Sequence, residues 1–212
     1  MDRFRRILIR FKLRLLSVWW RIKYSFFRED LPKNKDGKVC LNLGCGDYTS
    51  GEFINMDALP FRRTHLVGDI QNLSMFPSCS VDLVYASHVM EHIPRNTLEH
   101  TLREWYRVLK PGGMLRFGVP DFDGLIEIYH RSGNDTKSIV NQLMGQDGEY
   151  DDHHTIWNRA YAQELLTRVG FSTVQAWDPK TVEHHAFKDK TSRVFTDEVG
   201  TVSISLNLEA MK

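Results

Sequence analysis

The sequence predicts an α/β domain built on a doubly wound, mostly parallel sheet. Three observations predict it. From Val39 onward, short apolar runs alternate with longer stretches of helical period. The first run, Val39–Leu43, feeds directly into the turn Gly44-Cys45-Gly46. The last run, Thr201–Ala210, has a period of two, with Val202, Ile204, Leu206 and Leu208 on one face, as an antiparallel strand near the chain's end would.

The elements follow in order. Residues 1–30 carry Phe4, Ile7, Leu8, Phe11, Leu15, Val18, Ile22 and Phe26 as one apolar helical stripe flanked by arginines. A second stripe runs through Ile9, Leu13, Leu16, Trp20 and Phe27, and period-two alternation between Ile9 and Leu15 also allows a strand there. Residues 31–38, with Pro32 and Gly37, read as a linker to a domain spanning 39–212. Strands are expected at Val39–Leu43, Phe53–Met56, His65–Val67, Val81–Ala86, Met114–Val119 and Val174–Trp177. Only Asp47–Glu52 separate the first turn from the second strand, too few for a full crossover, so the first helix is expected to be a single turn. A helix is expected at Thr97–Leu109, opened by a capping box of Asn96 and Glu99 and closed by Lys110-Pro111-Gly112-Gly113. Further helices are expected at Gly124–Arg131, Thr136–Met144 and Arg159–Val169, the last stopped by Gly170.

Composition bounds the function. The 212 residues are 42% hydrophobic and 26% charged, which excludes global disorder and collagen-like or low-complexity classes. Three cysteines make no closed disulfide framework, so a reducing, cytoplasmic compartment is expected. The net charge of +1 averages two unlike parts. Residues 1–30 hold nine basic and three acidic side chains, a net of +6; the remainder holds 19 and 24, a net of −5. The segment has no apolar stretch long enough for a membrane span or a signal peptide. Residues 3–28 therefore read as an interfacial helix on an anionic membrane surface, which would put the chain on the inner face of the membrane. A helix capping the core and a serine-poor transit peptide are the alternatives. A net acidic domain does not suit nucleic acid.

The chemistry gathers at predicted strand ends. Glycine at Gly44 and Gly46 lets the backbone approach a ligand closely. Asp57 closes the second strand, where a carboxylate can accept both hydroxyls of a ribose, and Asp69 follows the third. The string His88-Val89-Met90-Glu91-His92 matches the inverted zinc-peptidase pattern, which would need His88 and His92 on one helix face with Glu91 as base. Asp121 follows the fifth strand, and Asp151-Asp152-His153-His154 form a polar loop, either a lid over an acceptor pocket or an acidic surface loop.

Together, Leu41–Asp47, Asp57, Asp69, Val81–Ile93 and Leu102–Asp121 resemble the class I S-adenosylmethionine (SAM)-dependent methyltransferases, small-molecule branch. The resemblance implies a seven-stranded Rossmann-like sheet with helices on both faces and an antiparallel C-terminal hairpin. It also implies SAM as cofactor. Gly44 and Gly46 would face its methionine part, Asp57 its ribose, Asp69 and Ile70 its adenine, and Ser87 would lie near the transferred methyl. Asn42 joins this set, standing where many members have an acidic residue, and Tyr48 stands at the third glycine of the extended pattern. No metal is implied. His88, His92, Asp121 and His154 become candidates for removing a proton from the acceptor, while Glu91 and His92 read equally well as a structural pair. Relatives with the DDHH loop and the C-terminal run resemble enzymes of bacterial surface-polysaccharide assembly, which makes a sugar hydroxyl the expected acceptor. The other readings are a non-catalytic binding module of the same fold, a nicotinamide-dependent oxidoreductase and the zinc peptidase.

Overall fold

The computed structural model describes residues 31–146, 151–185 and 187–212, so the N-terminal basic segment lies outside the described residues. Strands β1 (Cys40–Leu43), β2 (Ile54–Asp57), β3 (Leu66–Val67), β4 (Val81–Ser87), β5 (Leu109–Pro120), β6 (Thr173–Ala176) and β9 (Ser205–Met211) form one sheet in the order β3-β2-β1-β4-β5-β9-β6. The pairs from β3 to β5 are parallel, while β9 runs antiparallel to both β5 and β6. Reversal of strand order between β1 and β4 opens a crevice at the C-terminal strand ends, where ligands bind in such sheets.

Helices α1 (Arg95–Val108) and α4 (Arg159–Val169) cover one face. Leu98, Leu102 and Trp105 of α1, and Ala162, Leu165 and Leu166 of α4, are buried with Leu41, Leu43, Val84 and Phe117 of the sheet. Burial of such large side chains is each worth roughly 1.5–3 kcal/mol. Helix α4 starts at Asn158, whose side chain accepts from the Tyr161 amide, and stops at Gly170 with φ 122°. The capping box expected for α1 does not form. That helix starts after Pro94, Asn96 lies inside it, and Glu99 pairs with Arg103 and Arg168.

Among the described residues, a connection covers part of the opposite face. Cys40, Leu83 and Tyr85 bury against Phe53, Trp177 and Phe187, so the connection after β6 folds back over the sheet. Arg116 on β5 faces Glu209 on β9 directly across the ladder, 2.6 Å apart and almost fully buried, and donates to the Glu183 carbonyl of the overlying connection.

Four further expectations are revised. No helix, not even one turn, joins β1 to β2. Polar links do the work instead: Asn42 donates to the Tyr48 carbonyl and to Asn55 Oδ1, and Asn55 donates to the Ser50 carbonyl. The run Thr201–Ala210 is two strands, not one. Strand β8 (Thr201–Ser203) pairs with β7 (Val194–Thr196) in a separate antiparallel hairpin, and β9 begins after the break at Ile204. Asp121 and Arg193 hold that break through the Ile204 backbone. The helix expected at Thr136–Met144 is a 3₁₀ turn followed by the short α3 (Val140–Met144). The expected linker is a packed turn, with Leu31 against the core and Asn34 buried. No helix among the described residues is long and apolar enough to cross a membrane.

Candidate active site

The turn after β1 is left-handed at both glycines, with φ 63° at Gly44 and 47° at Gly46. The two differ in what surrounds them. A methyl on Gly44 would sit 2.5 Å from Val89 Cγ2, whereas a methyl on Gly46 would meet nothing within 4 Å. Gly44 therefore serves close packing under the segment after β4, and Gly46 borders open space.

Asp57 ends β2 beside this turn. Its Oδ2 accepts from the Gly46 amide at 2.8 Å and its Oδ1 from the Leu59 amide at 2.9 Å. Burial pushes its carboxyl above the usual aspartate value, and the Leu59 and Gly46 amides pull the other way. Each carboxylate oxygen has a second lone pair, so the group can still receive hydroxyl donors. Asp69 is exposed after β3, with Oδ1 accepting from the Gln71 amide. Ile70 packs partly on the core, and its carbonyl accepts from the Trp105 indole at 2.8 Å. Ser87 ends β4, and its buried Oγ makes no hydrogen bond. Asn42 is different. Its amide is spent bracing the turn, so the structure makes it a support of the cradle.

The histidines separate into two groups. His88 follows β4 with φ 52°, a strained conformation for a side-chain-bearing residue. Its Nε2 lies 2.6 Å from Ser205 Oγ on β9, and its Nδ1 lies 3.2 Å from Glu91 Oε1. Ser205 Oγ donates to the Lys190 carbonyl, so His88 Nε2 carries a proton and donates to the hydroxyl. Neither nitrogen of His88 is free. Glu91 is fully buried in the 3₁₀ turn Met90–His92. Burial would raise its carboxyl, but the adjoining His88 and His92 outweigh it and hold Glu91 below its ordinary value.

His92 belongs with the loop 151–157. Its Nδ1 lies 3.2 Å from the Asp152 carbonyl, and its ring meets the His153 ring edge-on at 4.8 Å. The loop is stitched to the turn by the His154 and Thr155 amides, both donating to the Glu91 carbonyl. His154 itself is exposed, and its carbonyl accepts from Arg95. The loop therefore lies over the strand ends, as a lid segment would. Asp121, just beyond β5, is half-buried, and burial followed by the neighbouring Asp123 raises its carboxyl. Beside it, Pro120, Phe122, Leu143 and Trp157 border a shallow cleft.

The inverted zinc-peptidase reading fails on this geometry. His88 to His92 do not lie on one helix, and His88 turns toward Ser205. Sequence reasoning missed Ser205, because nothing in the local pattern around it signals a partner 117 residues away in the chain.

Residues 41–117, a little over a third of the chain, match a family model described as a methyltransferase domain. No curated protein sequence matches the chain. Among solved structures, a SAM-dependent methyltransferase from Archaeoglobus fulgidus is 14% identical with a TM-score of 0.52, with 100% of both chains covered. A SAM-dependent methyltransferase from Methanosarcina mazei is 16% identical with a TM-score of 0.50, covering 89% of this chain and 97% of that one. The residues fit SAM on one observation: open space at Gly46 next to a half-buried carboxylate with acceptor capacity. The matched segment is similar to a methyltransferase domain, and the solved structures share the fold.

Proposed function

We propose that this chain moves the methyl group of SAM to a hydroxyl of a small or membrane-associated acceptor, a sugar of a surface glycan or its precursor. The observation that carries the methyltransferase reading is Asp57, a half-buried carboxylate held against the Gly44–Gly46 turn at the crevice of the sheet. SAM supplies a methyl on a sulfonium, ready for in-line displacement. Asp57 holds the ribose, Asp69 and the Ile70 backbone meet the adenine, and Ser87 lies on the side of the crevice toward β4. Because His88 is committed on both nitrogens, its role is to fix Glu91 and Ser205 rather than to take a proton. Asp121, made more basic by burial, and His92, with one nitrogen unspent, are the better proton acceptors; His154 stands further out. The sugar assignment rests on the resemblance of the loop and C-terminal run, and the membrane assignment on the basic stripe of residues 3–28.

Calorimetry with SAM followed by labelled-methyl transfer into membrane and soluble extracts tests the reading. Binding with label in a membrane-extractable glycan is expected. Absent SAM binding would make the chain a non-catalytic module of the same fold, and label confined to soluble metabolites would remove the glycan assignment.

A further inference from the structure

We propose that Glu91, His92 and His153 form a binding site for one divalent transition-metal ion of the zinc class, joining the turn after β4 to the loop 151–157. One ligand atom from each residue lies within 4.8 Å of the others. A tetrahedral ion with bonds of about 2.0–2.1 Å separates its ligand atoms by about 3.4 Å, so small side-chain rotations close the set. Two imidazoles and a carboxylate are a donor set that suits zinc.

The hydrogen bonds orient both imidazoles for this task. His92 Nδ1 faces the Asp152 carbonyl and His153 Nδ1 faces the Gln142 carbonyl at 2.9 Å. A carbonyl only accepts, so each Nδ1 carries the proton and each Nε2 presents a lone pair. Metal-ligating histidines are typically held in this way by a backbone carbonyl. Glu91 provides an independent observation. Its carboxylate is fully buried; Oε1 faces His88 Nδ1 at 3.2 Å, while Oε2 makes no hydrogen bond. A buried carboxylate oxygen left without a donor is costly, and a bound cation offsets that cost. Both histidines are partly exposed, so an ion can enter from solvent and keep a coordination position open to an external oxygen.

This inference does not depend on SAM binding, and its test is separable from it; an ion on His92 Nε2 would leave Asp121 as the proton acceptor. The full chain, stripped with chelator, is titrated with zinc chloride by calorimetry, and cobalt(II) is used as a visible-absorbing substitute. One ion per chain is expected, with cobalt giving the absorption of a low-coordinate site. His92→Ala and His153→Ala are each expected to weaken zinc at least about tenfold, while His130→Ala, on helix α2 (Phe122–Arg131), leaves it unchanged. Melting of each variant without metal confirms that it is folded; should one histidine variant unfold, the other decides. No binding by the wild-type chain, or binding that both histidine variants retain, overturns the proposal. SAM affinity of the stripped protein, measured alongside, reports on the cofactor reading alone.

Discussion

The two glycines of the turn after β1 should respond to the same substitution in opposite ways. Gly44→Ala places a methyl 2.5 Å from Val89 Cγ2 and 3.0 Å from Cγ1, at φ 63°. The left-handed backbone costs about 1–2 kcal/mol for a residue with a side chain. Overpacking against Val89 costs roughly 1–3 kcal/mol more. The expected loss is about 2–5 kcal/mol, or roughly 5–15 °C in a chain of this size. Gly46→Ala has the same backbone penalty but no neighbour within 4 Å, so its loss is about 1–2 kcal/mol. Its methyl instead projects into the space assigned to the cofactor and should weaken SAM by at least about tenfold, or 1.4 kcal/mol. Thermal melts and SAM calorimetry on the two variants give both numbers. A Gly46→Ala protein with wild-type SAM affinity would refute the placement of the cofactor, and equal destabilisation by the two changes would refute the account of the turn.

Two other perturbations follow from buried charge. Asp57→Asn replaces one acceptor with an amide that cannot receive the Gly46 or Leu59 N–H, stranding a donor at about 1–3 kcal/mol and weakening SAM. Because burial raises the Asp57 carboxyl, its contribution to stability is fully present below the ordinary value of 3.8 and is lost as pH rises through the raised one. The stability difference between wild type and Asp57→Asn should therefore shift toward wild type on acidification from pH 7, as urea midpoints would show; a difference independent of pH contradicts the assignment. Arg116→Met leaves Glu209 buried without its partner and should cost about 3–5 kcal/mol. The double variant Arg116→Met/Glu209→Leu should recover most of that, and failure to recover would mean that the loop contact at Glu183 carries the stability instead.

What the sequence discloses is local. The apolar runs at Leu41, Val84 and Leu115, the Gly44–Gly46 turn and the helix from Arg159 to Gly170 are each specified by neighbours in the chain, and the structure agrees on them. What it conceals is carried by distant partners. The β1–β2 connection dispenses with a helix because Asn42 and Asn55 satisfy its backbone, and period alone does not say that two asparagines will meet across a sheet. The single alternating run at Thr201–Ala210 breaks at Ile204 because Asp121 and Arg193 capture its backbone, while Val202 and Leu208 bury in different cores. The histidines make the point most sharply. Spacing pairs His88 with His92, because a motif rule assumes one continuous helix. Here the left-handed backbone at His88 ends the strand and turns its ring to Ser205, while the Glu91 carbonyl draws in the loop that carries His153. The partner of His92 is therefore fixed by two backbone hydrogen bonds from a distant segment, and a reading of His88–His92 by itself selects the wrong histidine.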